Sequence, residues 1–463
     1  MTGDRAGDEP PGPGRSTRHE QRQPITRRQV LQLTWPIILA NAAVPLLGLV
    51  DTAVIGRSGG AKDLGAIAVG ALVFSFVYWS FGFLRMGTTG FVAQASGAED
   101  SAEARASVTR ALLLGASIGA VVVLLQRPIA ALAWQLLGAS AETEARAGEY
   151  FHARIWGAPA TLCTFALFGC LIGLGKTRHL LALQLLLNGV NIGLDVLLAG
   201  VLGWGVRGLG IGTAVAEWIT LLAGLWLVLG VLRRERDDAE PMLRWARVLQ
   251  RERFLAMLRT NLDIMLRTLF LLAGFAWFTD RSAQLGDVTL AANHVLLQFV
   301  SFSAFFLDGY AFAAESLVGK AIGSGDRSAL DAAIWRSTQL AAVTAVCLAG
   351  LFFTGGVRAI GWLTTLTEVR ASAAQQLPLC ALYMLLSFAA FQLDGVFIGA
   401  TRTRAMRDAS LGSLLVFLVS SWLLLARFGN TGLWAAFVIY VVARGLALAV
   451  QLPALRRELT PAA

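Results

Sequence analysis

The sequence predicts an all-α polytopic membrane protein, with twelve transmembrane helices arranged as two parallel six-helix repeats. Three observations lead there. The 463-residue chain is 56% hydrophobic and only 15% charged, with a mean hydropathy of +0.62, more apolar than a soluble chain that must cover itself with polar groups. Apolar runs long enough to cross a bilayer, roughly 20 residues, recur along its whole length. Motifs in the two halves also match at one fixed offset.

Residues 1–24 are rich in Pro, Gly and charge and cannot bury enough apolar surface to fold, which predicts a disordered cytoplasmic tail. The first apolar run, Val30 to Ile55, has full spanning length and reads as a retained helix rather than a cleaved leader. Runs bounded by charge or Gly/Pro clusters then place helices near 28–56, 64–96, 105–126, 148–174, 178–202, 208–232, 255–280, 288–320, 329–352, 371–400, 406–427 and 432–453. An even number of spans leaves both termini on one side. Arg and Lys concentrate in the segments on that side, among them Arg27, Arg28, Lys176, Arg178, Arg233, Arg234, Arg402 and Arg404, so the termini are expected in the cytoplasm. The longest hydrophilic stretch falls at the midpoint. It divides the chain into an N-terminal lobe at 25–232, a solvated cytoplasmic linker at 233–253, a C-terminal lobe at 254–453 and a short tail at 454–463.

Composition also excludes several classes. Cys163, Cys170, Cys347 and Cys380 lie inside apolar runs without zinc or redox spacing, and read as packing residues. The net charge of +9 sits in short loops, not on a folded face interleaved with aromatics, which argues against a nucleic-acid partner. No catalytic constellation, metal-ligand cluster or nucleotide loop is present, so neither an enzyme nor an ATP-driven pump is expected, and no cofactor.

The repeat is explicit in the numbering. Val92, Gly97 and Asp100 match Val318, Gly323 and Asp326, and 318 − 92 is 226. Gly169, Gly173, Thr177 and Arg178 match Gly395, Gly399, Thr403 and Arg404 at the same offset, while Gly208-Leu209 matches Gly432-Leu433 at 224. An even number of spans per copy gives both the same orientation, related by an axis along the membrane normal. Transporters of this build bind substrate between their halves and rock one against the other.

Ionisable side chains within a bilayer are costly, and by default mark a function or a partner. Asp51 lies late in an outward-running helix, and Asp195 late in another, so the two carboxyls fall at similar depth. Asn188, Asn191 and Asp195 share one face of an otherwise Leu-rich helix. Two carboxyls in one desolvated cavity favour sharing a proton, as a proton-coupled exporter requires. The alternatives are a helix-end role for Asp51 near Arg57 and interhelical hydrogen bonding for the asparagines. Glu217 can join this group or pair with an arginine such as Arg85, and the pair is the favoured reading. Asp263 and Arg267, four apart, are expected to pair directly. His294, Asp308 and Glu315 form a possible second polar site, with Lys320 or Arg267 as alternative partners for the acids. Asp394, beside the repeated Gly395, reads equally as a loop stabiliser. Pro36 and Pro45 fall inside the first helix, where a proline removes a hydrogen bond and bends the chain.

Pro36 followed by Leu49-Val50-Asp51-Thr52-Ala53, Asn191-Ile192-Gly193-Leu194-Asp195 and Leu290-Ala291-Ala292-Asn293 together resemble the multidrug and toxic compound extrusion (MATE) transporters, specifically their DinF-like branch. The resemblance covers everything after the tail. It implies two six-helix bundles forming a V, and cation-driven export of organic compounds that are often cationic or amphipathic. It further implies an outer-cavity network for cation coupling at Asp51, Asn191, Asp195 and Thr213, and a bending role for Pro36. One departure is Phe168, near the place where some members carry an additional Asn on the fourth helix.

The expected function is therefore proton-coupled efflux of amphipathic compounds from a bacterial cytoplasmic membrane. Sodium coupling, or a lipid-intermediate flippase of the same superfamily, are the alternatives. Membrane lipid and small organic substrates are the expected partners, and a monomer the expected state. Arg85, Arg267 and Arg444 are the few intramembrane basic residues noted, fewer than a pyrophosphate cavity would require. Moving Asp51, Asn188, Asn191 and Asp195 by 226 lands on Trp277, Leu414, Phe417 and Ser421, so the polar stripe is expected in the N-terminal lobe alone.

Overall fold

A computed structural model describes residues 25–457 apart from 59, 138–139, 235–240 and 242. The tail expected at 1–24, the acidic middle of the linker and the chain after 457 lie outside the described residues. The helices run α1 (Arg27–Ser58), α2 (Ala61–Ser80), α3 (Phe83–Gly97), α4 (Ser101–Leu124), α5 (Gln126–Leu137), α6 (Ala141–Arg154) and α7 (Ala158–Gly173). They continue as α8 (Thr177–Asp195), α9 (Gly205–Arg234), α10 (Trp245–Val248), α11 (Arg251–Gln284) and α12 (Asp287–Gly323). α13 (Arg327–Leu363), α14 (Thr367–Gly399), α15 (Thr403–Ala449) and α16 (Leu452–Arg457) complete the chain.

Eleven helical stretches among the described residues are long and apolar enough to span. The last, Thr403–Arg457, has 55 residues, or ~82 Å at 1.5 Å per residue, enough for two crossings. Gly429 divides it, with φ 56° and ψ −135°, a backbone that glycine adopts without a Cβ clash. The result is twelve spans, as expected. The second span is α2 and α3, joined at Phe81–Gly82, and the fourth is α6 and α7, joined by a 3₁₀ turn at Ile155–Gly157. α5 was not expected. At 12 residues it is too short to cross, and it leaves Leu132 and Leu136 at 58% and 76% exposed, as an interfacial helix does.

The two lobes repeat in their packing as well as in sequence. Gly169 lies on the backbone of Arg85, and Gly395 on that of Ala311; both partners differ by 226. A carbon added at Gly173 would stand 2.9 Å from the Thr89 carbonyl, and one at Gly399 would stand 2.5 Å from the Glu315 carbonyl, again 226 apart. Asp100 and Asp326 cap α4 and α13 alike, accepting from the N–H groups of Glu103 and Ala329. Each lobe has its own core: Leu167, Leu171, Leu183 and Leu221 in the first, and an aromatic stack around Phe437 in the second, with Tyr383 at a centroid distance of 4.4 Å.

The lobes converge at the end that carries both termini. Gln94 donates to the Gly399 carbonyl and Thr401 Oγ1 at 2.9 and 3.2 Å, Ser316 to the Gly173 carbonyl at 3.2 Å, and Lys320 to the Leu174 carbonyl at 2.9 Å. The Arg85–Glu315 pair bridges the lobes further along at 3.1 Å, and the two bundles form a V. The linker, expected to be solvated, is instead strapped to α4 in its described part. Arg110 donates to the Arg247 and Val248 carbonyls at 2.6 and 3.0 Å, and Arg247 and Arg253 pair with Asp100 and Glu103.

Candidate functional site

The polar stripe of α8 is buried: Asn188, Asn191 and Asp195 are 7%, 0% and 0% exposed. Directly after Asp195 the helix widens into a π turn at Val196–Val201, a distortion frequent at functional positions. α9 then returns against it. Gly212 leaves room there for Asp195, since a side-chain carbon at 212 would sit 2.6 Å from Asp195 Oδ1. Asn191 donates to Thr213 Oγ1 at 3.0 Å, and that hydroxyl donates in turn to the Leu209 carbonyl at 3.0 Å. Asn188 donates to the Ala43 carbonyl at 3.0 Å, which ties α8 to α1. The structure thus brings together Asp51, Asn191, Asp195 and Thr213, with Asn188 two turns from Asp195 on the same helix.

The carboxyl groups of Asp51 and Asp195 adjoin closely enough for one proton to bridge them. Asp51 Oδ1, both Asp195 carboxyl oxygens and Asn191 Oδ1 are buried without a hydrogen-bond donor. The positive charge that acts on the pair is Arg154, not Arg57. Arg154 donates to the Tyr150 hydroxyl at 2.6 Å, lies 4.0 Å from Glu217, and stands over the Phe74 ring at 4.5 Å. Three carboxyls, Glu217 at 4.0 Å and Asp51 and Asp195 within electrostatic reach, therefore share one guanidinium. If all were ionised, the cluster would hold a net charge of −2 out of water, at a cost of several kcal/mol per uncompensated ion.

Charges near the lobe interface are arranged differently from the expectation. Arg85 pairs with Glu315 across the interface at 3.1 Å, so Glu217 takes Arg154 as its partner instead. Asp263 does not pair with Arg267. It holds Arg407 at 2.7 Å and accepts from Thr403, while Arg267 and Arg444 both bind Asp394. Asp394 is thereby a buried bridge between α11, α14 and α15 rather than a loop stabiliser. Asp308 lies within electrostatic reach of Arg85, Arg267 and Glu315. His294 does not join them: it is exposed, bonds Gln298 at 3.3 Å, and lies 14 residues from Asp308, ~21 Å along the helix. Lys320 donates across the interface to the Leu174 carbonyl.

A MatE family model matches residues 36–197 and 264–423, once in each lobe. The chain belongs to the multidrug and toxic compound extrusion family. It is 37% identical over 422 residues to DNA damage-inducible protein F of Escherichia coli K12, covering 90% of each, which places it in the DinF-like branch. It is 26% identical to a probable multidrug resistance protein NorM of Acinetobacter baylyi, covering 89% of this chain and 92% of that one. Its fold superposes on a solved MATE structure in a bent conformation with a TM-score of 0.84 at 20% identity, covering 94% and 97% of the two chains. This MATE chain is thus a multi-pass membrane transporter of the multidrug efflux class, not an enzyme.

Within this MATE fold, Phe168 is 9% exposed in the N-terminal core and offers no ligand where some relatives add an Asn. α1 runs as a helix through both Pro36 and Pro45. Sequence reasoning missed Arg154, although it lies six residues inside the run expected at 148–174. The available signal was the Tyr150–Arg154 spacing, which puts both on one helical face. Phe74 and Tyr78 flank Arg154, and Phe299 packs in the C-terminal core.

Proposed function

We propose that this MATE transporter exchanges protons for amphipathic, cationic organic compounds by alternating access, as a monomer in a bacterial cytoplasmic membrane with both termini inside. The observation that carries the reading is the Asp51–Asp195 pair, buried, without donors and part of a cluster with two carboxylates in excess. Protonation is the least disruptive way to relieve that excess, because one proton satisfies both carboxyls in the contact they already make. With the termini cytoplasmic, the V opens outward and the pair faces the side from which protons enter. A proton taken up there discharges the site and lowers its attraction for a cationic substrate, which leaves outward. Positions of the remaining basic residues support export over lipid-intermediate flipping, since Arg85, Arg267 and Arg444 are each engaged by a carboxylate. One observation favours sodium as a second reading: Asn191 Oδ1 adds a neutral oxygen without a donor to the carboxyl oxygens, a set suited to a hard cation.

Proteoliposome export of a fluorescent organic cation, driven by an imposed pH or sodium gradient, separates these readings. Proton coupling requires transport with the pH gradient alone, abolished in Asp51→Asn. Full gradient-driven export by that variant sinks the role of Asp51, and transport that responds only to sodium selects the second reading.

A further inference from the structure

The turn between α14 and α15 borders a cavity of about 500 Å³ at the end of the C-terminal lobe that carries the termini. Arg259 and Thr260 of α11 and Arg402 and Arg404 at the start of α15 form part of its wall. Asp263 and Asp408 line it too, yet Arg407 spans both at 2.7 and 2.8 Å. Among the described residues, four guanidiniums, Arg259, Arg402, Arg404 and Arg407, stand against these two carboxylates. Arg259 and Arg404 are exposed and form no hydrogen bond or ion pair with any described residue. Thr260 is 9% exposed, and its hydroxyl likewise has no partner among the described residues. The first turn of α15 adds unsatisfied N–H groups to the same space.

We propose that this cavity binds a phosphate-bearing anion, supplied as the headgroup of an acidic phospholipid in the leaflet on the side of the termini. Guanidinium forks match phosphate oxygens, and basic pockets between spans at this level take lipid headgroups. Arg259 lies eight residues into α11, ~12 Å from its start, a depth consistent with the headgroup region. The other lobe does not repeat the site: 259 − 226 falls on Leu33, and Arg178, equivalent to Arg404, lies over the Trp35 ring at 6.0 Å. Thr401 lines the cavity and also accepts from Gln94 of the N-terminal lobe at 3.2 Å. An anion held there steadies the turn on which the lobes close.

Native mass spectrometry of the full chain in detergent tests this with three probes: dioctanoyl phosphatidylglycerol, dioctanoyl phosphatidylcholine and inorganic phosphate. The anionic phosphatidylglycerol is expected to bind best, and the Arg259→Gln/Arg404→Gln pair to weaken it about tenfold or more. Arg178→Gln, the repeat-matched control, is expected to leave it within about twofold. Thr260→Val supplies a milder variant should the double substitution fail to fold, and is expected to weaken binding severalfold. Inorganic phosphate that displaces the lipid at equal concentration keeps the phosphate site and overturns its assignment to lipid. Equal binding of the two lipids, or equal effects of the Arg178 and Arg259/Arg404 substitutions, overturns the site.

Discussion

The two lobes share a backbone plan and differ in how their charges are balanced. At the repeat-related positions, the N-terminal lobe has Asp51 against Asp195, while the C-terminal lobe has Trp277 donating to Ser421 at 2.9 Å. One pair leaves buried carboxyl oxygens without donors, and the other is complete as it stands. The same contrast holds on a larger scale. Around Arg154 three carboxyls face one guanidinium, whereas toward the interface Asp308, Glu315 and Asp394 are matched by Arg85, Arg267 and Arg444. A duplicated fold can thus match the acids of one copy, with Arg85 reaching across from the other lobe, while the other copy keeps carboxyl oxygens without donors.

The largest expected effect comes from breaking the balanced side. Arg444→Met leaves Asp394 with one partner, and loss of one member of a buried ion pair typically costs about 3–5 kcal/mol; a marked fall in Tm in detergent, partly restored by Asp394→Asn, checks it. Next, Asp195→Asn is expected to slow proton-driven export about 100-fold, roughly 2.7 kcal/mol, with Tm unchanged or higher, because it removes excess charge. Ser421→Ala at the matched position is expected to leave export within about twofold and to cost only about 1 kcal/mol of stability. Equal transport defects from the two would erase the distinction between the lobes. Gly212→Ala sharpens it, since the added carbon crowds Asp195; overpacking of this kind costs about 1–3 kcal/mol, and the loss should appear in export more than in Tm.

The smallest effect concerns the Asp100 cap of α4. Burial alone would raise the Asp100 carboxyl, but the Glu103 backbone N–H and the Arg247 guanidinium outweigh it and hold the carboxyl below its ordinary value. A depressed carboxyl contributes stability above its unfolded value, near pH 4, and loses that contribution as the pH falls through the lower folded value. Asp100→Asn should therefore lower Tm slightly at pH 7 and by less as the pH falls below 4, by well under about 1 kcal/mol because the pair is more than a third exposed. An undiminished difference at pH 3 would refute the linkage.

Much of this was legible in residue order. Helix positions followed from apolar length, the buried face of α8 from the 3.6-residue period, and the duplication from a constant offset that the packed glycines reproduce. α5 escaped because it is too short to register as a span. Arg154 escaped because a single charge inside a predicted helix does not show which helix faces it. Expected ion partners were mostly local ones, such as Arg267 for Asp263, and the structure chose distant ones. Arg85 and Glu315 are 230 residues apart, and no periodicity links two helices so separated.

By itself, the sequence determined the membrane class, the twelve crossings, the parallel repeat and the confinement of the Asp–Asn stripe to one lobe. Each of these depends on the composition and spacing of residues within a segment, where chain geometry acts alone. The tertiary structure decided which charges are matched, which oxygens are left without donors, where the lobes meet and how the linker is held. Those outcomes depend on the approach of helices remote in sequence, and at ion-pair range a difference of a few ångströms decides between a satisfied bridge and buried oxygens left without donors.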